Sequence, residues 1–304
     1  MLTLRCRTLL VSSFKTSHVM NAKLSTAEHK NAKFPPTFIT KRYQPNVAVI
    51  NLEGTIQPSF GKQKFGRDGK LNIESLEGCI EKAFNINKLK AVCLIINSPG
   101  GSPSQSELIS NKINNLGKEK NVNVISFVHD LALSGGYWMA CAGSEIYITK
   151  NSAVGSLGAV FQGFGFHEFI KRYGIERRIY VSGENKSILD PFSPEKENDI
   201  AMMKGILKHI HKNFADYVKE SRHNKLNGPE ETLFNGDIFI GQKAVELGLA
   251  DGINTVDKYI HEKFGTKVNV VRVNPLQKGK FSSLFGVDYS PFDIFSVDHK
   301  LKFM

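Results

Sequence analysis

Cysteine is scarce in this chain: the 304 residues hold four, Cys6, Cys79, Cys93 and Cys141, and no two of them form a Cys-x-x-Cys pair. That spacing offers neither a zinc site nor a disulfide framework, so no metal and no cofactor is expected. The thiols read instead as buried and free, in a reducing compartment. The phosphate-binding spacing Gly-x-x-x-x-Gly-Lys-Ser/Thr is missing too. No stretch approaches 18 consecutive apolar residues, and the apolar start at residues 2–11 is interrupted by Arg5 and Arg7, so no membrane-spanning helix is expected.

Acidic residues are nearly absent from the N-terminus. Residues 1–42 carry eight Lys and Arg against the single acid Glu28, so +7 of the formal net charge of +11 lies there. The other 262 residues carry only +4, too dilute to call for a nucleic-acid partner. A basic, Ser- and Thr-containing stretch with an apolar cluster at Leu9, Leu10 and Val11 has the composition of a transit peptide. A mitochondrial address is the expectation, with the cytoplasm or another organelle as alternatives. Beyond it, 41% hydrophobic and 23% charged residues are ordinary for a globular domain.

What is present centres on one serine. In VHDLALSGGYWMACAG (residues 128–143) Ser134 stands between an apolar run and Gly135-Gly136, where a helix should begin. A nucleophilic serine needs a sharp turn, backbone N–H groups facing the developing oxyanion, and a base for its proton. Two glycines opening a buried helix provide the turn and the free amides. The competing reading is a serine that merely caps the helix. A second glycine turn lies upstream: the apolar run at residues 90–97 suits a strand covered on both faces, and Ser98-Pro99-Gly100-Gly101-Ser102 breaks it before a helical pattern with Leu108, Ile109, Ile113 and Leu116. A second strand at residues 122–128 leads toward Ser134, so two neighbouring strands ending in glycine turns could build one oxyanion site.

With SPGG (residues 98–101), ALSGGYWMACA (132–142), AVGSLGAV (153–160) and SGENKSILDPFSPE (182–195) in this order, the sequence resembles the signal peptide peptidase A, or protease IV, family, nearest its SohB type. The resemblance covers residues 46–273 and implies an α/β fold, the ClpP/crotonase-like spiral of ββα units, in one catalytic domain over residues 45–274, followed by a tail at 275–304. It implies a serine peptidase with Ser134 as nucleophile and Lys186 as base, acting on peptides or unfolded proteins. A lysine can serve only with its amine neutral, well below the reference pKa of about 10.4, which asks for burial or a cationic neighbour. Main-chain amides around Gly100, Gly101 and Gly135 would hold the oxyanion, although glycine spacing does not decide between Gly100 and Gly101. Ser156 would orient the lysine, and Asp190 reads as a turn cap. Single-copy relatives assemble into rings, so a homo-oligomer is expected, and Lys186 could come from a neighbouring protomer. Relatives of the SohB type carry a membrane anchor, from which this chain departs, although membrane association stays open. His129 and His167, the histidines a Ser-His-Asp arrangement could draw on, read as structural or peripheral. A crotonase-type acyl-CoA enzyme and a non-catalytic scaffold of the same shape are the rival readings.

Further elements are expected from periodicity: strands at residues 46–53, 145–149, 159–162, 177–181 and 267–273, and helices at 73–84 and 167–173. A long helix at 194–223 carries the apolar stripe Ile200, Met203, Leu207, Ile210, Phe214, Tyr217 and Val218. A motif at 234–244 opens a short helix ending near Gly248, residues 249–252 form a tight turn, and residues 54–70 form a polar loop.

Overall fold

The computed structural model describes residues 44–58 and 70–274. The expected leader at 1–42, the tail at 275–304 and most of the loop at 54–70 lie outside them.

The core is a sheet of parallel strands in the order β10-β1-β4-β5-β6-β9. These are β1 (Asn46–Glu53), β4 (Leu89–Ser98), β5 (Asn123–Leu133), β6 (Glu145–Ile148), β9 (Gly252–Ile253) and β10 (Asn269–Val273). Strands β2 (Thr55–Ile56) and β3 (Lys70–Leu71) form a separate parallel pair. Strands β7 (Ala153–Gly155) and β8 (Ile238–Ile240) pair antiparallel with each other. The apolar runs predict burial on both faces, and β1 delivers it by strict alternation. Ala48, Ile50 and Leu52 face a cluster built with α1 (Ile73–Phe84), α2 (Pro103–Lys120) and α3 (Gly135–Ala140). Val47 and Val49 face Ala91, Cys93, Ile95, Ile125 and Phe127, closed by Val256, Tyr259 and Ile260 of α8 (Val256–Phe264). Helix α1 starts on a capping box in which Asn72 accepts from Ser75 N at 2.9 Å, and α2 starts with Pro103 after the N-cap Ser102.

A bulge and a change of partner together aim the C-terminal end of β5. Ile96 pairs with Val128 but Ser98 pairs with Ala132, so β5 advances four residues while β4 advances two. The surplus bulges out at His129 and Asp130, both exposed, where Asn97 Nδ2 donates to Asp130 at 2.7 Å. The buried Ser152 hydroxyl lies 3.1 Å from the carbonyl oxygen of Val128 and also reaches that of His129, which ties the bulge to the residues before β7. Beyond the bulge β5 leaves β6 and pairs with β7, Leu133 opposite Gly155. The apolar pattern predicts an end at Val128, whereas the strand runs on to Leu133. The bulge breaks the alternation there and hides the continuation.

The remaining helices are α4 (His167–Arg172), α5 (Glu197–Arg222), α6 (Glu230–Leu233) and α7 (Gln242–Glu246). No strand forms at 159–162 or 177–181. Those segments lack a neighbouring strand to supply hydrogen bonds, and local β propensity does not replace one. Helix α5 also departs from expectation. Its apolar stripe is buried at Phe214 and Val218, while Ile200, Met203, Leu207 and Ile210 are only half-buried. Among the described residues no helix is long and apolar enough to cross a membrane.

Candidate active site

Strand β5 ends at Leu133 and α3 begins at Gly135, which leaves Ser134 alone on the turn with φ 51° and ψ −121°. That conformation is uncommon for a residue with a Cβ and costs on the order of 1–3 kcal/mol, so the surroundings must hold it. They do: Ser134 N donates to Gly155 O at 2.9 Å, and Ser134 O accepts from Tyr137 N at 2.9 Å and Trp138 N at 3.1 Å. The side chain makes no capping bond to the helix it precedes. The capping reading of Ser134 therefore fails, and its half-buried hydroxyl is left for other work.

The second glycine turn lies against the first. Gly100 has φ +97°, and a Cβ on it would stand 2.6 Å from Leu133 O, 2.8 Å from Gly135 N and 2.9 Å from Ser134 Cβ. Gly101 forms a bridge with Ile56, whose N donates to Gly100 O and whose O accepts from Ser102 N, both at 2.9 Å. Gly100 N donates to Ser98 Oγ at 3.2 Å. The Gly101 and Gly135 amides have no acceptor among the described residues. Two strands thus bring unspent backbone donors beside a strained serine, the arrangement the two glycine turns led one to expect. The clamp by Ile56 was not legible, because a two-residue strand has no periodicity.

Ser156 follows Gly155, the backbone partner of Ser134, and is itself held at φ 53° by donation from its N to Asp237 O at 2.7 Å. The structure brings Ser156 beside Ser134. It does not bring Lys186 there. Lys186 lies in a 3-10 turn, Glu184–Ser187, its amide donating to Gly183 O at 3.2 Å and its side chain exposed. No side-chain hydrogen bond or ion pair joins it to any described residue. It belongs to a long arm: among residues 158–198 whose exposure is described, none is buried. Tyr180 is 92% exposed and Phe164 80%. The arm is held to itself, by Phe166 stacked on Phe192 with centroids 5.6 Å apart and by Asp190, which accepts from Ser193 Oγ at 2.8 Å and pairs with Arg177. Asp190 is expected to cap a turn; its carbonyl oxygen accepts from Ser193 N at 3.1 Å, while its carboxylate binds side chains and no backbone amide among the described residues.

His129 lies on the exposed bulge, and His167 at the start of α4 pairs with Glu168 at 3.4 Å. Beneath α3, Tyr137 donates to Leu249 O at 2.7 Å, and the buried Arg222 donates to Gly248 O at 3.0 Å and to Asp251 at 2.7 Å. Burial alone would raise the pKa of Asp251, but hydrogen bonds from Arg222, Lys225 and the Ile146 amide outweigh it and hold the carboxyl below its ordinary value. The three described cysteines are free and buried. Burial raises the Cys93 and Cys141 thiols to about 12, far from reactivity.

Residues 117–270, a span that contains Ser134, Ser156 and Lys186, match the profile of peptidase family S49. The chain belongs to that family. Its fold is accordingly the ClpP-like α/β arrangement, with the glycine turn at 100–101 just upstream of the matched span. Among curated proteins the chain is 44% identical over 236 residues to one named Na(+)/H(+) antiporter NhaA from Brucella abortus (strain 2308), covering 78% of this chain and 31% of that protein. It is 29% identical over 224 residues to protease 4 of Haemophilus influenzae, covering 72% of this chain and 34% of that one. The chain therefore spans about a third of the length of either relative. Among solved structures it resembles a 1510-N membrane-bound stomatin-specific protease in complex with a substrate peptide, at 16% identity and a TM-score of 0.49, covering 80% of this chain and 98% of that one. For this S49 member, Ser98 is a polar residue of the site that sequence reasoning passed over. A hydroxyl two residues before a glycine amide is the signature of a Ser turn and could have revealed it.

Proposed function

We propose that this chain is a serine endopeptidase in which Ser134 attacks the peptide carbonyl, the unspent amides of Gly101 and Gly135 hold the oxyanion, the Gly100 amide being taken by Ser98 Oγ, and Lys186 accepts the serine proton and returns it to the leaving amine. The observation that carries this reading is the strained, uncapped Ser134 beside the unspent Gly135 amide. An amine that acts as a base has to shed its water. Lys186 sits on an arm whose aromatic side chains are uncovered, so the reading places it against a second copy of the chain, in a closed ring where each subunit lends a lysine to its neighbour's serine. Ser156, adjacent to Ser134, would then orient that amine. Peptides and unfolded proteins are the substrates that fit, because a peptide carbonyl is the group that Ser134 and the unspent Gly101 and Gly135 amides address together. Residues 1–42 are proposed as a mitochondrial address, tested by the destination of that segment fused to a fluorescent protein.

The decisive comparison is wild type against Ser134→Ala and Lys186→Ala on an unfolded protein, with folding and mass verified for all three. Both variants are expected to lose cleavage by about a thousandfold or more. Undiminished cleavage in Ser134→Ala would sink the peptidase reading, and thioester hydrolysis in that variant would favour acyl-CoA chemistry instead.

A further inference from the structure

Ser98 closes β4, is fully buried, and touches both glycine turns at once. Its hydroxyl accepts from Gly100 N at 3.2 Å. Its carbonyl oxygen lies so close to Gly136 that a Cβ there would stand 2.4 Å away. The rest of the Gly100 turn is tied by backbone alone, Ile56 N to Gly100 O and Ser102 N to Ile56 O. Those two bonds hold the Gly100–Gly101 and Gly101–Ser102 peptide units, which places the Gly101 amide, and leave the Pro99–Gly100 unit as the part of the turn that Ile56 does not reach. The Ser98 hydroxyl is the one side-chain group among the described residues that holds the near side. Gly100 itself is buried, so its amide has no bulk water to fall back on.

We infer that Ser98 is a positioning residue of the peptidase site: its hydroxyl anchors the Pro99–Gly100 peptide unit through the Gly100 amide, and so seats the turn from which the Gly101 amide shares one point with the Gly135 amide beside Ser134. This rests on the peptidase reading above and adds a requirement that reading does not contain. An oxyanion forms only in the transition state, so a misaimed donor lowers turnover and leaves ground-state substrate binding alone.

Two variants separate aiming from packing. Ser98→Ala removes the acceptor and some volume, whereas Ser98→Cys keeps the shape and leaves a much weaker acceptor. Steady-state cleavage of a peptide substrate, normalised to folded and assembled enzyme, is measured for both alongside Ser134→Ala. The expected result is a fall in kcat of about tenfold in each Ser98 variant at unchanged KM, the size of one lost hydrogen bond. A peptide aldehyde, whose adduct oxygen occupies the oxyanion position, should weaken in parallel. Ser98→Cys turning over at the wild-type rate overturns the inference, because volume alone would then explain Ser98. A rise in KM with kcat intact overturns it equally. Either result with Ser134→Ala inactive leaves the peptidase reading standing, while cleavage that survives Ser134→Ala defeats that reading and not the geometry around Ser98.

Discussion

At the scale of single residues the site is built from conformations that side chains resist. Ser134 and Ser156 both hold positive φ, and Gly100 sits where a Cβ would meet three atoms within 3 Å, two of them backbone. Strain of this kind persists where the fold over-determines it, and its relief separates stability from function. Ser134→Gly and Ser134→Ala should both be inactive, yet the glycine variant should be the more stable of the two by about 1 kcal/mol, because alanine keeps the strained Cβ. Denaturant midpoints at equal m-values decide it, and equal midpoints would mean that the turn is not strained. Gly100→Ala is expected to cost about 3 kcal/mol or more, since the Leu133 carbonyl and Gly135 amide belong to the packed turn and cannot withdraw as a flexible side chain would. Asp251 carries the clearest pH dependence. Its folded pKa lies below its unfolded value, so its contribution to stability is fully present above the unfolded value of about 3.9 and fades as pH falls through the folded one. Asp251→Asn should therefore be less stable than wild type at neutral pH, with a flatter stability curve below about pH 4 in an acid titration followed by circular dichroism.

Elements show where the sequence was legible and where it was not. Strand β1 and helix α1 fall at the residues the pattern predicted, because each has a clean period and a terminator: alternation into two layers for β1, and the Asn72 cap with a single apolar face for α1. Helix α8 lies outside the expected elements although Val256, Tyr259, Ile260 and Phe264 have helical spacing, since its nine residues offer few repeats of the period and Thr255 makes no side-chain cap. The serine and glycine components of the site could be read because they are local: each turn is a short run whose chemistry needs no partner. The Ile56 contacts could not, as they join residues separated by α1 and the whole of β4, whereas Ser98 and Gly100 stand two residues apart and their contact was open to reading. Helix α5 is the instructive failure, for one apolar stripe serves two purposes along its length. Its C-terminal half stacks Phe214 and Tyr217 on Trp138, with centroids 5.0 and 5.1 Å away, and so braces α3, the helix that follows Ser134. Its N-terminal half finds no cover in a single chain. Phe214→Ala should therefore cost about 3–5 kcal/mol, whereas Met202→Glu and Ile206→Glu, both on exposed positions, should leave monomer stability within about 0.5 kcal/mol and reduce the assembled mass seen by sedimentation. Undisturbed assembly in the glutamate variants would free this face from any role between copies.

For the whole molecule the question is whether one chain contains one complete site. Ser134, Ser156 and the glycine turns are fastened to the sheet by backbone hydrogen bonds, whereas Lys186 rides on an arm fastened mainly to itself. A rigid half and a loose half are what the proposed shared site requires, because on a neighbouring copy the arm would gain its packing and the lysine would lose its water in the same event. Mixing two inactive chains turns this into a count. Where the lysine is lent, a site works when its own chain keeps Ser134 and the adjacent chain keeps Lys186. Ser134→Ala and Lys186→Ala subunits dissociated, mixed equally and reassembled should then regain about one quarter of wild-type activity through random neighbours. Where the lysine acts within its own chain, every mixed ring stays as dead as its parents. Recovery near a quarter that grows and then falls as the mixing ratio is varied, with its maximum at equal parts, belongs to the lent lysine alone, since contamination by active enzyme would scale with one component.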